Sequence, residues 1–253
     1  MKDVIFMTAL VTERCDPTLQ INQYTEWAIK SWKRWCDKNN AMLFVFNRSE
    51  IDTDQMMPTW QRWYVYEILE SVGVEYNRIA LVDADTMVSP ECPNIWDEAD
   101  GRYAGVKDDL GLGWTCHSIK GYQKWFPDVK LDWERYVNNG MIVLPADKKL
   151  GKDFCNQILS FYENNKEDLI WMEKNDYRGT DQTPVNYIAE RFFGDDKKFL
   201  SKKFNMGHMH KTDILYNFMY LDVGYVWHYQ GLPTADRNDI MKQGWEKIEE
   251  KYG

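Results

Sequence analysis

Histidine and cysteine are scarce in this 253-residue chain, with four of the first and five of the second. Cys15, Cys36, Cys92, Cys116 and Cys155 are odd in number and form no CxxC pair. That excludes a thiolate zinc site and a disulfide framework, and it points to a reducing compartment. Long apolar runs are missing too: no stretch approaches the ~20 residues of a membrane span. The start, Met1-Lys2-Asp3 before the apolar run Val4–Val11, has neither the charged first region nor the cleavage site of a secretory leader. A cytoplasmic location is expected, with peripheral membrane contact left open. Positive charge is in deficit, 31 basic against 40 acidic residues for a net charge of −9. This is the wrong sign for neutralising a nucleic-acid backbone, so no nucleic-acid partner is expected. No repeat, low-complexity linker or Pro/Gly-rich stretch divides the chain, which reads as one domain over residues 1–253.

What is present is an ordinary globular balance, 44% hydrophobic and 28% charged, with a heavy aromatic load of 12 Trp and 15 Tyr. Val4–Val11 reads as a buried strand. Tyr24, Trp27, Ala28, Ser31, Trp32 and Trp35 recur at helical spacing, ending at Asn39-Asn40. Met42–Phe46 makes a second strand, and Pro58 opens a helix through Leu69. Arg78–Val82 is a strand that stops at Asp83 and Asp85, and Tyr136–Leu144 is another. Leu150, Phe154, Ile158 and Phe161 share a helix face, and a further helix starts near Thr183-Pro184 with Val185, Ile188, Ala189 and Phe192 as its stripe. A strand over Val223–His228 and a charged helix over Asn238–Lys251 close the chain. Apolar strands alternating with helices predict an α/β fold, a Rossmann-like domain whose mainly parallel sheet is covered by helices on both faces. Ligands in such sheets bind at the carboxyl ends of strands.

Asp83 and Asp85 sit at such an end. An Asp-x-Asp pair is weak evidence alone, because 24 Asp in the chain yield about two pairs by chance. The other, Asp52-Thr53-Asp54, lies in a polar loop with no strand leading into it and reads as solvated surface. Burying Asp83 and Asp85 beside Ile79–Val82 costs several kcal/mol unless a cation pairs them. A hard divalent cation, Mn²⁺ or Mg²⁺, meets that need and shares its other positions with substrate phosphates. Phosphatases of the haloacid-dehalogenase type also carry two such aspartates, but at the end of their first strand and not followed by a residue like Met87.

Four segments together resemble the GT-A type of nucleotide-sugar glycosyltransferase, in particular family 8 and its relatives. They are Arg78–Val88 with its two aspartates, Tyr136-Val-Asn-Asn-Gly-Met-Ile-Val-Leu144, Gly179-Thr-Asp-Gln-Thr-Pro-Val-Asn186, and Trp227-His-Tyr-Gln-Gly231. The resemblance implies a single GT-A domain, with residues 1–107 as the nucleotide- and metal-binding half and 108–253 as the acceptor-side half. It implies Asp83, Asp85 and His228 as ligands of Mn²⁺ or Mg²⁺, with Asp83 sharing the metal or holding the donor ribose beside Ala84. Asn138 and Asn139 would bind donor-sugar hydroxyls, with Gly140 allowing close approach. Asp181 and Gln182 would lie at the anomeric carbon as the catalytic pair. Thr8, Ala9 and Thr12 would cradle the base, Arg62 would face the donor, and Gly231 would belong to the donor-binding set. The partners implied are a nucleotide-sugar, a UDP-sugar foremost, and a glycan, lipid-linked or protein acceptor. The family's Lys-Pro-Trp is missing after Gly231, where Leu232-Pro233-Thr234-Ala235 stands instead. Arg237 and Lys242 are the basic residues that could take the lysine's place.

Blander readings stand beside these. His228 could be a core histidine, and His208 and His210 compete with it as ligands. Asp181 could cap the helix that follows and, stabilised there, stay ionised. Asn138-Asn139-Gly140 could be a turn. Trp114, Trp125 and Trp133 could form an acceptor platform or be buried. A sugar-1-phosphate nucleotidyltransferase would share the sheet and the carboxylates, yet Thr8–Pro17 holds no glycine and one arginine where a triphosphate loop would be. A non-catalytic sugar-binding protein on the same fold is the remaining alternative.

Overall fold

The computed structural model describes residues 1–10, 22–49, 51–108, 111–176, 180–207 and 217–253. Val11, Thr12, His208 and His210 lie outside the described residues. A six-stranded sheet has the order β2-β1-β3-β6-β5-β7, from β1 (Lys2–Thr8), β2 (Met42–Phe46), β3 (Tyr76–Asp83), β5 (Ala104–Lys107), β6 (Val137–Val143) and β7 (Lys198–Leu200). β1 runs parallel to β2 and β3, and β5 to β7, while β6 runs against both of its neighbours. The sheet is mainly parallel, as expected, with one reversed strand. A separate ribbon pairs β4 (Thr86–Val88) with β8 (Val226–His228), antiparallel.

Alternation along the strands feeds two cores. Ile5, Met7, Ala80, Val82, Met141 and Val143 pack on one face with Trp32 and Trp35 of α1 (Thr25–Lys38), Trp227 of the ribbon and Met241 of α8 (Thr234–Tyr252). Val4, Phe6, Ile79, Leu81 and Ile142 pack on the other with Trp60, Trp63, Phe154 and Ile158. That second layer holds α2 (Pro58–Gln61), α3 (Val65–Ser71), α6 (Lys148–Asp176) and α7 (Gln182–Phe193). The sheet is therefore covered on both faces. No described helix is long and apolar enough to cross a membrane.

Three local expectations change. The helix expected from Pro58 to Leu69 is interrupted by a 3₁₀ turn, Arg62–Tyr64, which turns the buried Arg62 toward the sheet's edge. Leu150, in the first turn of α6, is 38% exposed, whereas Phe154 and Ile158 are buried. The last strand starts at Val226, not Val223, because Met219–Asp222 forms a 3₁₀ turn that leads into it.

The sheet's site edge is made by directions as much as by residues. Thr8 at the end of β1 is in register with Asp83 at the end of β3. Because β6 is reversed, with Val82 opposite Met141, its start at Asn138 and Asn139 reaches the edge where β1 and β3 finish. Trp35 anchors the opposite side of the layer: it is fully buried, packs edge-on to Trp32 and donates to the Cys92 carbonyl at 2.8 Å. Trp35→Ala should cost about 3–5 kcal/mol of stability, read from denaturant unfolding. A loss below about 1 kcal/mol would show that this core is not closely packed.

Candidate metal and donor site

Asp83 ends β3, Ala84-Asp85 make a tight turn, and Thr86 begins β4. The turn is held from inside the core: Thr86 Oγ1 donates to the Asp83 carbonyl at 2.6 Å and accepts from Trp32 Nε1 at 3.0 Å. Pairing of Thr86 with His228 across the ribbon carries the histidine to both carboxylates. His228 Nε2 lies 3.2 Å from Asp85 Oδ1 and 3.6 Å from Asp83 Oδ2. The backbone closes the same contact, since Tyr229 N donates to the Asp85 carbonyl at 2.9 Å.

Two arginines complete the cluster. Arg62, 1% exposed, donates to Asp83 Oδ1 and to the Asn139 carbonyl, each at 2.7 Å. Arg237 reaches from the first turn of α8 to Asp85 Oδ2 at 3.2 Å, donates to the Leu232 carbonyl at 2.9 Å and lies over the Tyr24 ring. Burial opposes ionisation of Asp85, but His228 and then Arg237 outweigh it and hold the carboxyl below its usual range. Burial likewise opposes charge on His228, and Asp85 followed by Asp83 reverses the sign, raising its pKa.

The carboxylate oxygens of Asp83 and Asp85 each carry two lone pairs, and His228 Nε2 faces them. One ligand atom from each of Asp83, Asp85 and His228 can be chosen so that all lie within 4.8 Å of one another. Two carboxylate oxygens and an imidazole nitrogen form the donor set that suits Mn²⁺ or a similar divalent ion. Around them, Thr8 Oγ1, Arg62 Nε, Asn139 Oδ1 and Arg237 Nε are buried without hydrogen-bond partners. Orphaned polar atoms in such number at one edge are what a polar ligand would satisfy.

Asp181 takes a different part from the cap that its position suggested. It precedes α7, yet its side chain makes no capping bond. Its Oδ2 accepts instead from Trp63 Nε1 at 2.9 Å and from Asn139 Nδ2 at 3.1 Å. Burial pushes its pKa up to about 6, against the pull of Arg62 and these two donors. Gln182 accepts from the Asn139 backbone N–H at 3.2 Å and donates to Asp108 Oδ2 at 2.7 Å. Asn138 lies on the opposite face of β6, bonded to Gln230, Asn205 and the Gly140 N–H. Gly140 is required by space: a Cβ there would sit 2.1 Å from His228 Cε1. Ala9 is buried at the end of β1, and Ala84 between the aspartates. Gly231 adopts φ +74° in the turn after β8, a conformation that favours glycine. Trp114 and Trp133 are exposed, whereas Trp125 packs on Tyr122 and Phe161. Asp52-Thr53-Asp54 stays outside the cluster. Asn205 and Asp108 join the network without having carried any signal in the sequence, and Gln230 does so from inside the Trp227–Gly231 motif without having been singled out.

Two consequences can be measured. Gly140→Ala should displace the His228 ring and destabilise the fold by about 1–3 kcal/mol, whereas unchanged stability would contradict the close contact. Asp181 has a folded pKa of about 6 against ~3.9 unfolded, so its ionisation penalises the fold above pH 6 and the penalty fades as pH falls toward 4. Asp181→Asn should therefore match or exceed the wild type in stability at pH 8, metal-free, by at most roughly 3 kcal/mol, and lose most of that advantage by about pH 4. A stability difference that does not vary with pH would refute the raised pKa.

No protein-family model and no curated protein matches the sequence. Among solved structures, a glycosyltransferase involved in glycosylation of the major capsid of PBCV-1 is similar with a TM-score of 0.59 at 11% identity, over 95% of this chain and 98% of that one. An active-site mutant of LgtC is similar with a TM-score of 0.54 at 14% identity, over 98% and 94% of the two chains. The bifunctional glycosyltransferase WbbM gives 0.54 at 16% identity, this chain matching 49% of its length. A likeness of this extent, at such low identity, is one of architecture: the chain has the GT-A glycosyltransferase fold.

Proposed function

We propose that the protein is a metal-dependent glycosyltransferase that moves a sugar from a nucleoside diphosphate donor, a UDP-sugar, to a hydroxyl of a glycan, lipid-linked or protein acceptor. The observation that carries this reading is the convergence of Asp83, Asp85 and His228 at the carboxyl end of β3 on this fold. Those three residues would hold Mn²⁺ or Mg²⁺, which as a Lewis acid would neutralise charge developing on the leaving diphosphate. Residues 1–107 would serve the nucleotide and most of the metal shell, and residues 108–253 the acceptor, with His228 reaching back across.

The remaining roles follow from what each side chain has left to give. Thr8 and Ala9, with Thr12, would border the base, and the free hydroxyl oxygen of Thr8 is the atom available there. Arg237 would supply the cation that the motif's missing lysine would otherwise bring to the diphosphate. Arg62 holds Asp83 in place and stands beside the donor. Asn139, whose Oδ1 is buried without a partner, would accept from a hydroxyl of the donor sugar. Gln182, half-buried, would lie against the anomeric centre, with Asp181 behind it fixing Asn139 and Trp63.

Calorimetric titration of UDP in Mn²⁺ and then in chelator tests the donor and metal together. Binding should be at least about tenfold tighter with Mn²⁺. Asp85→Ala should lower donor hydrolysis or transfer by about a hundredfold or more while the protein stays folded. Full turnover by that variant would refute the metal assignment. Failure of uridine, guanosine and thymidine diphosphates alike to bind would refute the donor.

A further inference from the structure

We infer that Asn205 is the positioning residue that keeps His228 in its metal-ligating form, through an amide relay anchored on the backbone of Gly140. The inference rests on the metal reading above.

The relay begins at a group that cannot be reoriented. The Gly140 N–H donates to Asn138 Oδ1 at 2.9 Å, and a backbone N–H can only donate, so the oxygen of Asn138 must face it. The Asn138 Nδ2 then points to Gln230 Oε1 at 3.1 Å. Asn205 meets the same Asn138 oxygen at 2.9 Å and must present its NH₂ there. That turns Asn205 Oδ1 toward His228 Nδ1, 3.1 Å away. An amide oxygen only accepts, so Nδ1 carries the proton, and Nε2 is the ring atom left for ligation beside Asp83 and Asp85.

Asn138, Asn205 and His228 are each less than 5% exposed, so water does not replace any link. Asn205 is set by main chain and not by the histidine: it follows the 3₁₀ turn Lys202–Phe204, and the next residue bridges to β8 through Met206 N to the Val226 carbonyl and His228 N to the Met206 carbonyl. Gly140 serves the same end by leaving room for the ring. Asn138 thereby spends its oxygen on the relay, which makes Asn139 the freer of the two asparagines for ligand.

The test is a double-mutant cycle read as Mn²⁺ affinity in the presence of UDP, measured by paramagnetic resonance of free Mn²⁺. Asn205→Leu, close in size but without an acceptor, should bind Mn²⁺ about 10- to 100-fold more weakly, with an unchanged circular-dichroism spectrum and cooperative unfolding. Its preference for Mn²⁺ over Mg²⁺ should fall to that of His228→Ala. The double variant should bind no more weakly than His228→Ala alone, because Asn205 acts only through the ring. If Asn205→Leu does not fold, Asn205→Ala enters the same cycle. Wild-type affinity in the Asn205 variant, or a double variant weakened by both factors multiplied, overturns the inference while leaving the metal site standing. Absence of Mn²⁺ binding by the wild type with UDP overturns the metal reading, and the inference with it.

Discussion

Two carboxylates at the mouth of an apolar strand are the constraint around which this structure is arranged. Ile79–Val82 are buried, and the strand delivers Asp83 and Asp85 to an edge where water alone does not pay their desolvation. The protein answers with two guanidiniums and an imidazole from three separate parts of the chain. Arg62 takes one oxygen of Asp83, Arg237 one of Asp85, and His228 lies between the remaining two. Removing one member of such a set leaves a charge in a poor solvent, which is a larger penalty than the net worth of any pair.

The topology exists to make that meeting possible. A uniformly parallel sheet would place the start of β6 at the far end of the molecule. Its reversal between β3 and β5 puts Asn138 and Asn139 at the site edge, facing opposite sides of the sheet. One asparagine then serves the histidine side and the other the Asp181 side. The β4–β8 ribbon is too short to add much stability, yet its register is what sets His228 opposite Thr86. Trp32 fixes that register from the core by bonding to the Thr86 hydroxyl.

The strands, most of the helices and the core were legible because hydrophobic period reports burial directly. Asp83, Asp85 and His228 were legible through short motifs, whose residue types and order survive in one dimension. What escaped was whatever depends on contacts between distant segments. Asp181 stands where a cap belongs, and only the packing of Trp63 and Asn139 against it shows another use. The 3₁₀ turn at Arg62 breaks a helix that periodicity draws as continuous, because the buried Arg62–Asp83 pair overrides local preference. Asn205 has no motif: its meaning comes from a bridge between residues more than twenty apart in the chain.

Arg237 shows how a departure from a motif can be absorbed by the fold. A cation in the first turn of a helix sits against the positive end of the helix dipole, a placement that is unfavourable on local grounds. Asp236 beside it has the sign that this position prefers. Arg237 is tolerated because Asp85, the Leu232 carbonyl and the face of Tyr24 all receive it. Those partners come from β3's end, the loop after β8 and the entrance to α1, so the terminal helix is tied to the carboxylates by side-chain chemistry as well as by its apolar face. A lysine at the motif's position, three residues after Gly231, would have come from the exposed entrance to that helix. An arginine on a packed helix arrives at the same acidic cluster with its orientation already determined by the core.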